Sequence, residues 1–384
     1  MRNFLTTLRR NYFREVSRLV KPFNGQFIFL THILEDRPEL LDALSNIAPI
    51  SAIIAVPYSI HQPTLDKLKQ EFTVIVPTLE QLYEEQYLKN LLDKYLSTST
   101  PTVILEIGGY FAKVLRNFNS LLENKLIGII EDTESGHREY ENIIKKLRYP
   151  VISIARSQLK INEDFLVGAS CLYSVEKLFR RAGFLLDSKT ALVLGFGKVG
   201  RGLAHALAKR HYHVMVYDIQ PSRRINALSE GFQVPNRKTA LQKADIIYGT
   251  TGVCSITQKD FITLKNGAVL ISCGSKDTEF DLRGLQKQFV KHDVFEHLHR
   301  YKRGKKTLYL AAQGAPINFI DGATIGPVLS LTHAEIILAV KEIIALYNSG
   351  KHGLFETPQK TKDLLAAKWL KHFLEPNYGS YRHT

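Results

Sequence analysis

"ALVLGFGKVGRGLAHAL", residues 191–207, decides how the chain is read. A short apolar run enters Gly195, Gly197 and Gly200, and a helical pattern follows. The spacing Gly-x-Gly-x-x-Gly is weak evidence alone. Here it follows a strand-like run, opens a helix, and precedes a second β-rich run, "HVMVYDI" (213–219), that carries Asp218. An acidic residue about 20 positions after the glycines is where a dinucleotide-binding fold places its ribose partner. Gly195 would make the tight turn, Gly197 would admit a pyrophosphate, and Gly200 would allow close packing of strand and helix. The first amides of that helix, at Lys198 and Val199, would face the phosphates. A carboxylate at Asp218 accepts ribose hydroxyls and repels a 2′-phosphate, which favours NAD over NADP; Arg223 and Arg224 just beyond weaken that preference.

Outward from the turn, β-rich runs alternate with helical patterns in both directions. Upstream lie "GQFIFLTHIL" (25–34), "ISAIIAVPYSI" (50–60), "FTVIVPT" (72–78), "TVILEIGGYF" (102–111) and "LIGIIEDT" (126–133). Downstream lie "ADIIYGTTG" (244–252), "GAVLISCGS" (267–275) and "KTLYLAAQG" (306–314). This alternation predicts an α/β chain of two parallel-sheet units. The second is a Rossmann NAD-binding domain over 186–325, inserted into a substrate-type domain over 1–185. A long amphipathic helix over 326–350 completes the first domain to about residue 355, and 356–384 is expected to be a C-terminal arm.

The 384 residues, 45% hydrophobic, suffice for more than one core. No apolar run reaches the ~20 residues of a membrane helix. The basic start "MRNFLTTLRRNYF" has no apolar core or cleavage site after it, so no signal peptide is expected. Cys171, Cys254 and Cys273 are scattered, without metal-ligand spacing, which suggests a reduced, cytoplasmic protein without a metal. The formal charge of +14 gathers partly in "HLHRYKRGKK" (297–306). No nucleic-acid motif accompanies it, so a solvated basic loop is expected there and a nucleic-acid partner is not.

The segment 186–285 resembles the NAD-binding domain of the adenosylhomocysteinase family. The likeness rests on "GFGKVGRGLAHAL", "DIQPSRRINAL", "TTGVCSIT" (250–257) and "GAVLISCGSKDTEFDLRGL". Fainter echoes are "VILEIGG" (103–109), "IIEDTESGHREY" (129–140), "QLKINEDFLVG" (158–168), "GAPINF" (314–319) and the tail "EPNYGSYRHT". The resemblance implies that Thr250, Thr251, Gly252, Asn318 and Thr133 also contact NAD. It implies a substrate cleft that closes between the two domains, and NAD that removes hydride from a ribose 3′-hydroxyl and later returns it. It further implies catalytic roles for Lys160, Asp164, His32 and Asp132. A homodimer or homotetramer would follow, with Tyr378, Tyr381 and Arg382 of the arm reaching a neighbour's NAD. Lys160 and Asp164 are four apart and would share a helix face.

Several family positions differ. Glu106-Ile107-Gly108-Gly109 stands where the family has Asp-Asp-Gly-Gly, and only Glu106 could replace the lost acid. Phe165 stands for Asn, Glu134 and Ser135 for two NAD-touching threonines, and Ser275 for a histidine. The Gly-His-Pro expected beyond Asn318 is absent, with Thr324, Ile325, Gly326 and Pro327 there instead. Groups facing the dinucleotide persist, while those that would grip adenosine are thinned. A site built on hydrogen bonds discriminates strongly against ligands that leave them unpaired. The expectation is therefore an NAD-dependent enzyme of this type acting on a different small molecule, nucleoside-like or polyol. The alternative is a non-catalytic NAD-binding sensor or partner protein. A simple dehydrogenase of the 2-hydroxy-acid type shares the architecture, but neither "TTGVCSIT" nor "CGSKDTEF" offers its arginine or histidine–carboxylate pair.

Overall fold

The computed structural model describes residues 2–96, 100–122, 125–186, 188–274, 276–323 and 325–374. The chain divides into two compact units, one of Met1–Ile161 with Gly326–Thr384 and the other of Asn162–Ile325.

Unit 1 is built on a seven-stranded sheet. Its strands are β1 (Gln26–Ile33), β2 (Ile50–Ile60), β3 (Val74–Ile75), β4 (Thr102–Glu106), β5 (Leu126–Glu131), β6 (Pro150–Ser153) and, from the end of the chain, β14 (Gly353–Phe355). Their order is β14-β6-β5-β4-β1-β2-β3, and every pairing is parallel. Strands β1, β4 and β5 are near-continuous apolar runs because helices cover both faces of a parallel sheet. One face carries Phe27, Phe29, Val103 and Leu105 against the helices Arg2–Ser17 and Leu329–Asn348; the other carries Ile28, Leu30, Ile104 and Ile129.

The helix expected over 326–350 forms as Leu329–Asn348, and Gly350 follows with φ +65°. It is not amphipathic: Ser330 through Val340 are all buried. The helix Gln359–Phe373 covers what would have been its polar side, and the Tyr12 hydroxyl donates to the Leu365 carbonyl at 3.0 Å. The expected C-terminal arm is thus part of the body of unit 1 as far as Phe373. Tyr378, Tyr381 and Arg382 lie outside the described residues.

Unit 2 holds β7 (Thr190–Leu194), β8 (His213–Tyr217), β9 (Ile246–Gly249), β10 (Val269–Ser272), β11 (Val290–Phe295), β12 (Leu298–Arg303) and β13 (Lys306–Ala311). The order is β11-β12-β13-β10-β9-β7-β8. From β8 to β13 the pairings are parallel, and an isolated parallel bridge from Met215 to Gln233 marks the place of a further strand beyond β8. This is the Rossmann order, with its switch point where β7 lies between β8 and β9.

Two features of unit 2 differ from the sequence expectation. The basic stretch 297–306 is not a loop: β11 and β12 run antiparallel, β12 and β13 close a hairpin, and Gly304 turns it at φ +56°. Leu298 and Tyr301 enter the cores on opposite faces of the sheet while Arg300, Lys302 and Arg303 face solvent, so the buried residues of the strand are hidden among charges. Unit 2 also begins inside the helix Gln158–Arg181 rather than near residue 186. The reason is packing: Cys171, Leu172, Val175, Leu178 and Phe179 share a core with Ala191, Val193, Val214 and Val216.

Candidate functional site

In unit 2, the C-terminal ends of the central strands bring the expected cofactor residues together. Gly195 leaves β7 at φ +97°, a conformation that costs little only for glycine. Its amide donates to the Tyr217 carbonyl at 2.8 Å. Gly197 caps the helix Lys198–Ala208. The three glycines divide their work. A Cβ on Gly200 would stand 2.0 Å from the Gly195 carbonyl oxygen, so its role is packing. A Cβ on Gly197 would meet only Arg223 Nη1, at 3.6 Å. Among the described residues nothing stands where a Cβ would be, and a phosphate brought to the helix amides would require that residue to lack a side chain.

Asp218 follows β8 and is only 4% exposed. Its Oδ2 accepts from the Phe196 amide and its Oδ1 from the Gln220 amide, both at 2.8 Å. The carboxylate therefore pins the glycine turn to the neighbouring strand end. Arg223 Nη1 lies 3.5 Å from it. Each carboxylate oxygen accepts more than one hydrogen bond, so these contacts leave capacity for a ribose hydroxyl.

Thr250 and Thr251 leave β9 at the same end. Thr250 Oγ1 lies 2.8 Å from the Leu194 carbonyl and 2.9 Å from that of Gly195, which staples the turn. Thr251 Oγ1 turns to Val253 and Glu279, and Gly252, at φ +71°, gives its amide to Glu279. Both hydroxyls are thus engaged within the protein. Asn318, 5% exposed, follows Pro316, which bridges to Ser272 at the end of β10.

Asp164 and Lys198 form an ion pair at 2.8 Å. The helices that carry them touch backbone to backbone. A Cβ on Gly202 would lie 2.1 Å from the Phe165 carbonyl oxygen, and one on Gly168 would lie 2.3 Å from the Leu203 nitrogen.

In unit 1 the strand ends gather a second set. Lys160 Nζ lies 3.1 Å from Asp132 Oδ1, and their side chains are 8% and 14% exposed. Burial alone would raise the Asp132 pKa, but Lys160 and Arg37 outweigh it and hold the group low, as a carboxylate. His32, at the end of β1, contacts Ser59 Oγ through Nδ1. The Ser59 hydroxyl donates to the Val56 carbonyl at 3.1 Å. His32 Nδ1 is then the donor, and the neutral ring keeps its lone pair on Nε2. Burial, then the Arg37 charge, depress the His32 pKa to about 3.

His333 sits in the same neighbourhood, 2% exposed, and burial and Arg37 also take it to about 3. Arg37 Nη1 donates to its Nε2 at 3.2 Å. Among the described residues its Nδ1 has no hydrogen-bond partner, and it stands 3.9 Å from Asp36 Oδ2. Asp36, Arg37 and His333 were not singled out from the sequence. The signal was there, an Asp-Arg pair directly after the His32 strand and a histidine two residues from Glu335 inside an apolar helix.

Three nearby acids and Thr133 are held by hydrogen bonds within unit 1. Glu106 is 2% exposed; it accepts the Tyr140 hydroxyl and the Phe111 amide, the latter at 3.3 Å. Glu131 accepts the amides of Gly108 and Gly109, each at 3.0 Å, and burial raises its pKa to about 7. Glu335 accepts from Ser157 and Thr357. Thr133 caps the helix Glu134–Ile143 through the Gly136 amide and donates to Glu131 at 2.7 Å. Among the described residues no cluster of histidine, cysteine and acids could hold a metal, and no helix is long and apolar enough to cross a membrane.

Residues 169–324 match the family model of the S-adenosyl-L-homocysteine hydrolase NAD-binding domain. This segment is an NAD-binding domain of that family. Beyond this segment the chain is similar to adenosylhomocysteinases over most of its length. The adenosylhomocysteinase of Sulfolobus acidocaldarius is 29% identical over 75% of this chain and 70% of its own length. That of Archaeoglobus fulgidus is 24% identical over 92% of this chain and 88% of its own length. The S-inosyl-L-homocysteine hydrolase of Methanococcus maripaludis is 28% identical over 71% of this chain and 66% of its own length. NAD is the cofactor, and the open cradle at Gly197, with Asp218 at the next strand end, fits it.

Proposed function

We propose that this chain is an NAD-dependent enzyme of the adenosylhomocysteinase type, one that transiently oxidises a ribosyl or polyol hydroxyl of a substrate other than adenosylhomocysteine. The observation that carries this reading is the Lys160–Asp132 pair, withdrawn from water beside a neutral His32. Burying two charges is costly, and a fold that needed only packing would use apolar side chains there. Perturbed ionisable clusters gather at functional sites.

NAD supplies a reversible acceptor for hydride. The rest falls to the chain. The amides at Lys198 and Val199 hold the pyrophosphate, and Asp218 takes the adenosine ribose. Lys160 first gives its extra proton to Asp132 or to water; as the free amine it then takes the proton from the substrate hydroxyl being oxidised, with Asp132 fixing the direction of its Nζ. His32 Nε2 accepts a hydrogen bond from a second hydroxyl. Asp164 sets the position of Lys198. The substrate class follows from what the relatives' names share. One is named for an adenosyl and another for an inosyl compound, so the ribosyl group is common and the base varies.

Restriction away from adenosylhomocysteine is supported by Glu106. Tyr140 and Phe111 occupy it, so it does not replace the acid missing at Ile107. The same observation favours a second reading, a non-catalytic NAD-binding protein that lost its chemistry. Absorbance near 340 nm, the usual NADH band, separates the two. On the first reading, NAD-loaded protein gains this band when a nucleoside or polyol is added. On the second, none of a panel of ribosyl compounds changes it. A homodimer or homotetramer in the cytoplasm belongs to the same proposal, and light scattering on the purified chain tests the assembly.

A further inference from the structure

Glu279 is fully buried in unit 2, between the ends of β9 and β10. Space for it comes from two glycines. A Cβ on Gly249 would lie 2.7 Å from its Oε2, and one on Gly274 would lie 2.9 Å from its Oε1. Its Oε1 accepts the Gly252 amide at 2.6 Å. Its Oε2 lies 2.8 Å from Thr251 Oγ1 and 3.2 Å from Ser255 Oγ. Its own carbonyl accepts the Ser255 amide at 2.9 Å. The whole turn 251–255 therefore hangs on this one residue.

The hydrogens do not suffice for every contact at once. Thr251 Oγ1 has one hydrogen and two acceptors, Glu279 Oε2 and the Val253 carbonyl at 2.7 Å. With Glu279 ionised, Thr251 turns its hydrogen to the carboxylate and the Val253 carbonyl loses it. With Glu279 protonated, the acid donates to Thr251, Thr251 donates to Val253, and the Gly252 amide still has its acceptor.

We propose that Glu279 is the positioning residue of the NAD-binding turn 250–253, and that the turn holds NAD in the form made by protonated Glu279. This rests on the reading that Thr250, Thr251 and Gly252 meet the dinucleotide. Burial pushes the Glu279 carboxyl up to about 7, against the opposing hydrogen bonds, so the change of form falls near neutrality. The titratable groups that sense it across the packing are the thiols of Cys254 and Cys273, both raised by burial and uncharged at pH 7. Asp260 and Asp281 act on Cys254 from the far side, with Asp260 tied to Arg237 and Asp281 capping the helix Leu282–Gln288 through Gly284.

Calorimetric titration with NAD from pH 6 to 8 tests this on the parent, Glu279→Gln and Glu279→Ala. A glutamine amide can donate to Thr251 and accept from Gly252, so it copies the protonated acid. The expected result is a parent affinity that weakens by roughly tenfold as pH rises through 7, the scale of one buried hydrogen bond rearranged. Glu279→Gln binds as tightly as the parent at pH 6 and keeps that affinity at pH 8. Glu279→Ala binds about tenfold more weakly at every pH, with its melting recorded to confirm folding. Should Glu279→Ala fail to fold, the parent and Glu279→Gln profiles decide alone. Parallel slopes in those two, or a folded alanine variant with parent affinity, would overturn the proposal. A parent that binds no NAD at any pH would overturn the cofactor reading beneath it.

Discussion

Lys198 Nζ stands 2.8 Å from the Asp164 carboxylate, across a crossing where Gly168 and Gly202 let two helix backbones touch. The pair thus ties the helix that opens at the glycine turn to the one that carries the expected catalytic aspartate. Its side chains are 25% and 15% exposed, so water screens it in part. A double-mutant cycle on Lys198→Met and Asp164→Asn should give a coupling of about 0.5–1 kcal/mol. Gly202→Ala should cost more, about 1–3 kcal/mol in denaturant unfolding, because its methyl would enter the Phe165 carbonyl. An alanine variant as stable as the parent would show that the helices do not cross there.

Lys160 and its neighbours should separate binding from chemistry. Lys160→Ala should leave NAD affinity within about twofold of the parent, since the glycine turn is built without it. Formation of NADH with an active substrate should fall by about 10²–10⁴, the usual loss for a removed acid–base group. Equal turnover by parent and variant in stopped-flow absorbance would remove Lys160 from the mechanism.

Glu106 should behave oppositely. Tyr140→Phe removes a hydrogen bond to a buried carboxylate and should cost about 1–3 kcal/mol of stability. Glu106→Gln, read with the same substrates, should change NADH formation by less than about threefold, well short of the loss expected for an acid–base group. A Glu106→Gln variant that folds but is inactive would return the missing acid to this position.

His333 makes a signed prediction for pH. Its pKa is about 3 in the folded chain and about 6.5 in the unfolded one, so the unfolded state binds the extra proton between those values. The stability this neutral histidine contributes is fully present above pH 6.5 and drains away as pH falls toward 3. Other groups titrate in that window too: Glu131, raised to about 7, stabilises in the opposite sense. The difference between parent and His333→Gln isolates the histidine. It should shrink by up to about 1.4 kcal/mol per pH unit on acidification from 6.5. A difference that stays constant with pH would mean that His333 is not held neutral.

What was legible in the sequence was what neighbouring residues encode. The glycine turn, its strand and Asp218 obey local spacing, and so do the alternating runs that became β1, β2, β4 and β5. The hairpin from β11 to β13 was hidden because its outward side chains are charged, and charge reads as loop. The start of unit 2 was misplaced because a continuous helix gives no sign of where its packing partners change. Helical spacing put Lys160 near Asp164, but it gave no sign of Asp132 and Lys198, the partners that packing brings to them. Glu279 was invisible as a site residue for a related reason, and His333 left only the faint signal of a histidine inside an apolar helix. Each acts on groups brought near only by the sheet order, and a lone acid or histidine in a sequence carries no trace of what it will touch.

Gly197 offers the most direct test of NAD binding at the turn. Its φ of −79° suits any residue, and among the described residues a Cβ there would meet only Arg223 Nη1, at 3.6 Å. Gly197→Val should therefore melt within a few degrees of the parent, as an open surface change does. If the pyrophosphate lies against the amides of Lys198 and Val199, the valine occupies its place, and calorimetric titration should show NAD binding weakened by more than about 100-fold. A folded Gly197→Val protein that binds NAD as tightly as the parent would contradict the account.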